Sequence, residues 1–299
     1  MSWRVIVISS RAKLDLKLNY MVIRGEETHK VFLNEISLLL IENTAVSMTA
    51  ALLAELVKRK IKVIFCDERR NPISELMPYY GSHDSSAKIK ALIHWSSPAK
   101  EQIWTEIVKE KIRQQMLLLR SLERPEAETL KKYLKEVELN DSTNREGLAA
   151  KIYFAALFGA GFSRSEDNRI NAALNYGYSI LLSAFNREIA ANGFLTQLGL
   201  FHDNIFNPFN LASDLMEPFR PLVDRIVLSM DLEEFSHEEK MILVNVLNQE
   251  VLIDHKKQYV NNAIKIYCKS VFDSLHCEDI SSLRFYHCEL SIYESNSNV

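Results

Sequence analysis

Glycine is scarce in this chain, eight among 299 residues, and neither G-x-G-x-x-G nor G-x-x-x-x-G-K occurs. Nucleotide folds that cradle phosphates on glycine-rich loops therefore have no support. Cysteine is scarcer still: Cys66, Cys268, Cys277 and Cys288 include no Cys-x-x-Cys pair, which fits buried thiols in a reducing compartment better than a disulfide framework. The late grouping of Cys268, His276-Cys277 and His287-Cys288 offers zinc-ligand residue types, but its spacings match no common knuckle or ribbon. Long apolar runs are missing as well. Nothing approaches the roughly 20 residues of a membrane span. The opening Met1-Ser2-Trp3-Arg4-Val5-Ile6 lacks the charged, apolar, small-residue order of a secretory signal, so the sequence predicts a cytoplasmic protein with no membrane partner.

What remains is the composition of an ordinary soluble protein, 47% apolar and 25% charged, long enough for about two domains with cores of their own. The net charge of −3 is unevenly spread: residues 1–95 carry 14 Lys plus Arg against 10 Asp plus Glu, and the remainder is acidic. Lys58-Arg59-Lys60, Lys62, Arg69 and Arg70 fall close together in the basic part and could meet phosphates, although such a cluster at a helix end is commonly a solvated face.

Patterning divides the chain in the same place. Arg4–Ile8 is a short buried-type run, Leu14–Leu18 alternates with period two, and Met21–Ile23 leads through Gly25-Glu26-Glu27 to Lys30–Leu33, which predicts hairpins. Ala50–Lys58 is rich in helix formers and Lys62–Cys66 reads as another strand. Asn71-Pro72 and Pro78-Tyr79-Tyr80-Gly81-Ser82-His83 carry linker residues, and from Ala87 onward apolar residues recur at three- and four-residue steps. The predicted fold class is α+β, with a β-rich domain over 1–76, a linker over 77–87 and an all-α domain over 88–299.

Three segments hold residues suited to chemistry. Thr143 and Glu146 have the form of a capping box ahead of Leu148–Phe158, which by itself places Glu146 at a helix start facing water. Small and semi-polar residues follow on that face, Ala149, Ala150 and Tyr153, and would let the carboxylate point across at another element. Downstream come His202-Asp203 and the string Asn210–Asp224, in which Asp214, Glu217, Arg220 and Asp224 fall along one helical stripe. Taken by spacing alone, these are a loop histidine and ordinary helix charges. Taken together, one imidazole with two or three carboxylate oxygens suits Mg2+ or Mn2+ better than a structural zinc. His202-Asp203 and His83-Asp84 also supply the dipeptide of metal-dependent phosphohydrolases, a class that needs a further upstream His and a downstream Asp.

Several strings resemble one family: Val63–Pro72, Pro78–His83, Asn144-Arg145-Glu146-Gly147, Gly199-Leu200-Phe201-His202, and most specifically Asn210–Pro221. The chain resembles, over nearly its whole length, the CRISPR-associated endonuclease and integrase of spacer acquisition, in the version found in bacterial type II systems. The resemblance implies a β-rich dimerisation domain followed by a helical catalytic domain. It also implies metal binding and catalysis by Glu146, His202 and Glu217, with Asp214 an acidic neighbour. Many relatives have Asp at the position of Glu217. Some carry a lysine shortly after the site histidine, whereas Asp203–Phe209 holds none, which makes Arg220 the candidate basic group. The implied reaction is attack by the 3′-hydroxyl of a captured double-stranded DNA fragment on a phosphodiester at the edge of a CRISPR repeat, with Mg2+ or Mn2+ as cofactor. Lys58, Arg59, Lys60, Arg69 and Arg70 are the candidate DNA contacts.

The implied partners are a second copy of the chain and a small ferredoxin-like CRISPR-associated subunit, in a heterohexamer of four plus two. In type II-A systems a ring-shaped DNA-end-binding protein and the effector nuclease join them. The alternative is a non-catalytic DNA-binding scaffold of the same adaptation complex, a role that gives no reason to retain Glu146, His202 and Glu217 together.

Overall fold

A computed structural model describes residues 4–78 and 82–287. The chain divides into two compact units, Met1–His83 and Asp84–Val299.

The first unit contains β1 (Arg4–Ile8), β2 (Lys13–Lys17), β3 (Tyr20–Arg24), β4 (Thr28–Phe32), β5 (Ile36–Ile41), β6 (Ser47–Met48), α1 (Ala50–Lys58), β7 (Lys62–Cys66) and β8 (Pro72–Glu75). They form two four-stranded sheets, ordered β1-β5-β7-β8 and β4-β3-β2-β6. The hairpin prediction holds for β2, β3 and β4, which pair antiparallel in succession. β1 departs from it, because it pairs parallel with β5. All six residues of β5 are buried, which explains why it is apolar except at Ser37, whose hydroxyl donates to the Arg4 carbonyl at 3.1 Å: a strand covered on both faces loses the alternation that betrays a half-exposed one. Leu14, Met21, Leu39, Leu52, Leu56 and Val63 lie at the centre of this unit's core. α1 opens where the Thr49 hydroxyl accepts a hydrogen bond from Leu52 N–H at 3.3 Å.

The second unit opens with α2 (Ser85–Ile93), so the last three residues of the predicted linker are helical. The Asp84 carbonyl takes the Ala87 and Lys88 N–H groups, and Ser85-Ser86 suits a first turn better than a helix interior. Next come α3 (Ser97–Ser121), α4 (Glu126–Glu136), α5 (Arg145–Phe158), α6 (Arg169–Ala191), α7 (Asn210–Met216), α8 (Arg220–Leu228), α9 (His237–Val244), β9 (Glu250–Ile253), β10 (Lys256–Tyr259), α10 (Val260–Cys277) and β11 (Tyr286–His287). The unit is therefore helical but not purely so, because β9 pairs antiparallel with both β10 and β11. The β9–β10 turn is Asp254-His255, both at positive φ, a tight hairpin made without the Asn-Gly signal that would have announced it.

α3 is the axis of this unit. Ser96 caps it, its side chain accepting from Ala99 N–H, and Pro98 pre-sets its first turn. Ile103, Trp104, Ile107, Val108, Lys111 and Ile112 are all buried along it. α6 and α8 approach closely at Gly177, where a Cβ would lie 2.4 Å from Val223 Cγ1. Among the described residues no helix is long and apolar enough to cross a membrane. Cys66 and Cys268 are buried and Cys277 is exposed, while Tyr79, Tyr80, Gly81 and Cys288 lie outside the described residues.

Candidate active site

The site is built from the starts of α5 and α8, the loop before α7, and the middle of α3. Glu146 stands in the first turn of α5, but the predicted capping box does not form. Asn144 is the N-cap, in a left-handed conformation (φ 51°), and its Oδ1 accepts from Gly147 N–H at 3.3 Å. Asp141 accepts from the Arg145 and Glu146 N–H groups at 2.8 and 3.0 Å. With Asn144 as the N-cap, the third helical position falls on Gly147, and Glu146 no longer stands where its carboxylate would reach back to the cap. The carboxylate reaches inward, where Lys111 Nζ donates to its Oε1 at 2.5 Å.

Glu217 follows α7 in a 3-10 turn, Glu217–Phe219, that links directly to α8. The predicted single stripe is thus three short segments. Pro218 and Pro221 supply no N–H to a continuous α-helical ladder. Glu217 is buried, its Oε2 2.5 Å from Lys111 Nζ and its Oε1 accepting from Arg220 Nε at 2.8 Å. Burial alone would raise its pKa, but Arg220 and Lys111 pull it down to about 2, so the side chain is a carboxylate at neutral pH. Burial works against the Lys111 ammonium too, and Glu217 and Glu146 more than offset it, raising its pKa. Because both carboxylates touch one nitrogen, their oxygens cannot stand further apart than twice that 2.5 Å contact.

His202 sits in the loop ahead of α7. Asp214, fully buried, organises that loop: its Oδ2 accepts from Leu200 and Phe201 N–H at 2.6 and 3.0 Å, and its Oδ1 accepts from His202 N–H at 3.2 Å and contacts His202 Nδ1 at 2.5 Å. The carboxylate fixes the proton on Nδ1 and leaves the Nε2 lone pair for a ligand. The Asp214 hydrogen bond raises the His202 pKa, against burial that lowers it, with the charges of Asp214, Glu217 and Glu146 adding to the rise. Trp104 of α3 stacks on Phe201, ring centres 4.6 Å apart, and meets the His202 ring edge-on at 5.7 Å. Gly199 is obligatory here: a Cβ would fall 2.3 Å from the His202 carbonyl oxygen and 2.7 Å from Asp214 Oδ2. Asn210 closes the loop, its Nδ2 donating to the Gln197 and Asn204 carbonyls, both at 3.0 Å.

Behind the carboxylates, Arg220 lies over the Tyr178 ring, 4.6 Å from its centre. Tyr178 and Tyr153 both donate to Asp224, the latter at 2.9 Å. Burial pushes the Asp224 carboxyl up to about 6 despite these bonds and the nearby cations. Asp224 thus supports the aromatic wall beneath Arg220 and takes no part in the acidic pair.

The structure brings Glu146, Glu217 and Arg220 together around Lys111, and holds His202 through Asp214. The basic cluster lies in the other unit. There Arg59 is tied to Glu55 at 2.7 Å and to Asn34 and Asn19, and Arg70 is 3.7 Å from the buried Glu42. Lys58, Lys60 and Arg69 are exposed. Lys111 and Trp104 are the residues that sequence reasoning missed. The signal was a lysine at three- and four-residue steps from Val108 and Ile107, on the helix face that carries the apolar stripe.

Among the described residues no three His, Cys, Asp or Glu side chains converge as they stand on one ion position. The donor types nevertheless fit a hard divalent cation: two carboxylates already share one cation, the Lys111 ammonium, and an oriented imidazole nitrogen belongs to the same electrostatic cluster.

A sequence profile of the family described as CRISPR associated protein Cas1 matches residues 5–252. A protein of Neisseria meningitidis serogroup C named CRISPR-associated endonuclease Cas1 is 36% identical over 263 residues, covering 86% of each chain. Another so named, from Francisella tularensis subsp. novicida, is 28% identical over 85% of this chain and 87% of its own. Among solved structures, a casposase bound to integration product superposes with a TM-score of 0.74 at 19% identity, covering 94% of this chain and 92% of that one. A CAS1 protein from Thermotoga maritima gives the same TM-score at 18% identity, covering 91% and 97%.

Proposed function

The chain belongs to the Cas1 family of CRISPR-associated proteins, and from that premise we propose that it is a metal-dependent DNA endonuclease and integrase that inserts DNA fragments into a CRISPR array. The observation that carries the reading is the meeting of Glu146 and Glu217 on one cation beside a histidine whose Nδ1 is engaged by Asp214. A scaffold needs no such buried, charge-balanced pair.

In this reading Glu146, Glu217 and His202 Nε2 hold Mg2+ or Mn2+. The ion, when bound, polarises the scissile phosphate and lowers the pKa of the attacking hydroxyl. The chain's own residues do the rest. Asp214 holds the proton of the neutral ring on Nδ1 and so directs the free lone pair to Nε2, Trp104 braces the ring, and Arg220 holds Glu217 ionised while bringing positive charge toward the phosphate. The 3′-oxygen of the incoming strand forms a bond to phosphorus as the bond to the target strand's 3′-oxygen breaks. One phosphodiester replaces another, and no external energy source is required. Water in place of the hydroxyl gives the endonuclease activity that relatives are named for.

Lys58, Lys60 and Arg69 are the exposed cations offered for phosphate contact, with Arg59 and Arg70 serving chiefly to hold the first unit together. The working assembly is a homodimer joined by the small CRISPR-associated subunit; the likeness to a chain of a Cas6-RT-Cas1–Cas2 complex, TM-score 0.72 at 18% identity over 94% of this chain and 36% of that one, supports the partner subunit. The test is transfer of a fluorescent duplex with free 3′-hydroxyls into a plasmid carrying a leader and repeat, with Mg2+ or Mn2+ and the small subunit, comparing wild type with His202→Ala. Loss of product with DNA binding retained supports the integrase. Equal product from both proteins reduces the chain to a scaffold.

A further inference from the structure

Lys111 occupies a position that the proposed chemistry does not use. It is 8% exposed, and its Nζ lies 2.5 Å from both Glu146 Oε1 and Glu217 Oε2. A buried ammonium persists only where fixed negative charge offsets its lost hydration, and here two carboxylates from different elements do so. A divalent ion bridging the same two oxygens at about 2.0–2.6 Å needs the same space. The charges are already balanced: Glu146 and Glu217 face Lys111 and Arg220, which holds the second oxygen of Glu217. A divalent ion added to that set leaves two positive charges in excess, unless the lysine withdraws and anionic phosphate oxygens enter.

We propose that Lys111 is a tethered counter-ion that competes with the divalent metal for Glu146 and Glu217, so that the free protein binds metal weakly and DNA phosphate completes the site. This rests on the assignment of Glu146, Glu217 and His202 as the metal-holding set. In the free chain the ammonium preserves the geometry of two carboxylates that would otherwise repel. When a phosphodiester arrives, its negative charge favours the metal between the carboxylates, and the flexible lysine stem lets the ammonium turn toward the phosphate oxygens. Cleavage by adventitious metal is suppressed until substrate is in place.

The test is Mn2+ binding, read by the loss of the free-ion EPR signal, in wild type, Lys111→Met and Lys111→Gln. Methionine keeps the apolar stem, and glutamine can still donate to the carboxylates if methionine leaves them too exposed to fold around. Each is measured alone and with a duplex terminated by dideoxynucleotides, which cannot react. Both variants should bind Mn2+ at least tenfold more tightly than wild type in the absence of DNA, and adding Glu146→Gln should abolish the gain. The duplex should tighten Mn2+ binding by wild type several-fold more than binding by the variants. Equal or weaker binding by both variants, with wild-type binding still lost in His202→Ala, overturns the competition and leaves the metal site standing. If wild type with duplex shows no Mn2+ binding that depends on His202, the functional reading falls and the competition falls with it.

Discussion

Asp214→Asn tests the support of the site histidine with the smallest change in shape. The wild-type carboxylate accepts from Leu200 and Phe201 N–H through one oxygen and from His202 N–H and Nδ1 through the other. An amide presents one oxygen and one NH2, so in either orientation two of the four donors face a donor. Each lost hydrogen bond to a charged group costs about 1.5–3 kcal/mol, and loop relaxation recovers part, giving roughly 3 kcal/mol of destabilisation. The damage is local to the loop whose orientation delivers Nε2, and loss of such a support typically weakens metal affinity by about 10- to 100-fold. Urea unfolding gives the first quantity and Mn2+ calorimetry in the presence of unreactive duplex gives the second. A variant that unfolds with wild-type stability and binds Mn2+ with wild-type affinity refutes the positioning role. Asp214 would then have to be reassigned as an acidic neighbour that the site tolerates but does not need.

Other predictions follow from the same geometry. Because Asp214 raises the His202 pKa, the stabilisation from that pair is full below the ordinary histidine value and is lost as pH rises through the folded one. Metal occupancy runs the opposite way, since protonated Nε2 cannot ligate, so strand transfer should climb with pH through a midpoint above the ordinary histidine value, and Asp214→Asn should move that midpoint down. Gly199→Ala forces a methyl against the His202 carbonyl and Asp214, and should cost about 1–3 kcal/mol in thermal unfolding while reducing strand transfer more than DNA binding. Tyr178→Phe removes a donor to Asp224 and should destabilise by about 1.5–3 kcal/mol, the penalty shrinking as pH falls below about 6 and Asp224 protonates.

Legibility of the fold in the sequence followed the periodicities. β2 alternates, and the Gly25-Glu26-Glu27 turn marks the hairpin of β3 with β4, whereas the parallel pairing of β1 with β5 joins the apolar stretches Val5–Ile8 and Leu38–Ile41, which carry no record of their partner. β9 and β10 escaped because four-residue strands joined through Asp254-His255 look like loop between helices. At the site, Glu146, His202 and Glu217 stood out as residue types in recognisable strings. Spacing could not separate a ligand from its support, and Asp214 and Glu217, three residues apart, do different work because one faces the amides of the His202 loop and the other faces Lys111. Lys111 lies 35 residues before Glu146 in a helix that reads as core, and only the packing of α3 against α5 and α8 brings it to the carboxylates. The capping box failed for a local reason: Asn144 accepts a left-handed backbone more readily than Thr143 does, and its side chain displaced the threonine as cap.

The central claim is that Glu146, His202 and Glu217 form one divalent-metal site that exchanges phosphodiesters. The most direct measurement is disintegration of a branched duplex that mimics the integration product, with and without EDTA, by wild type and by Glu217→Gln. Wild type should release the branch and reseal the target strand only when Mg2+ or Mn2+ is present, and Glu217→Gln should bind the branched DNA yet lose at least a hundredfold in rate. Resealing that survives EDTA, or a Glu217→Gln rate within a few-fold of wild type, would contradict the account.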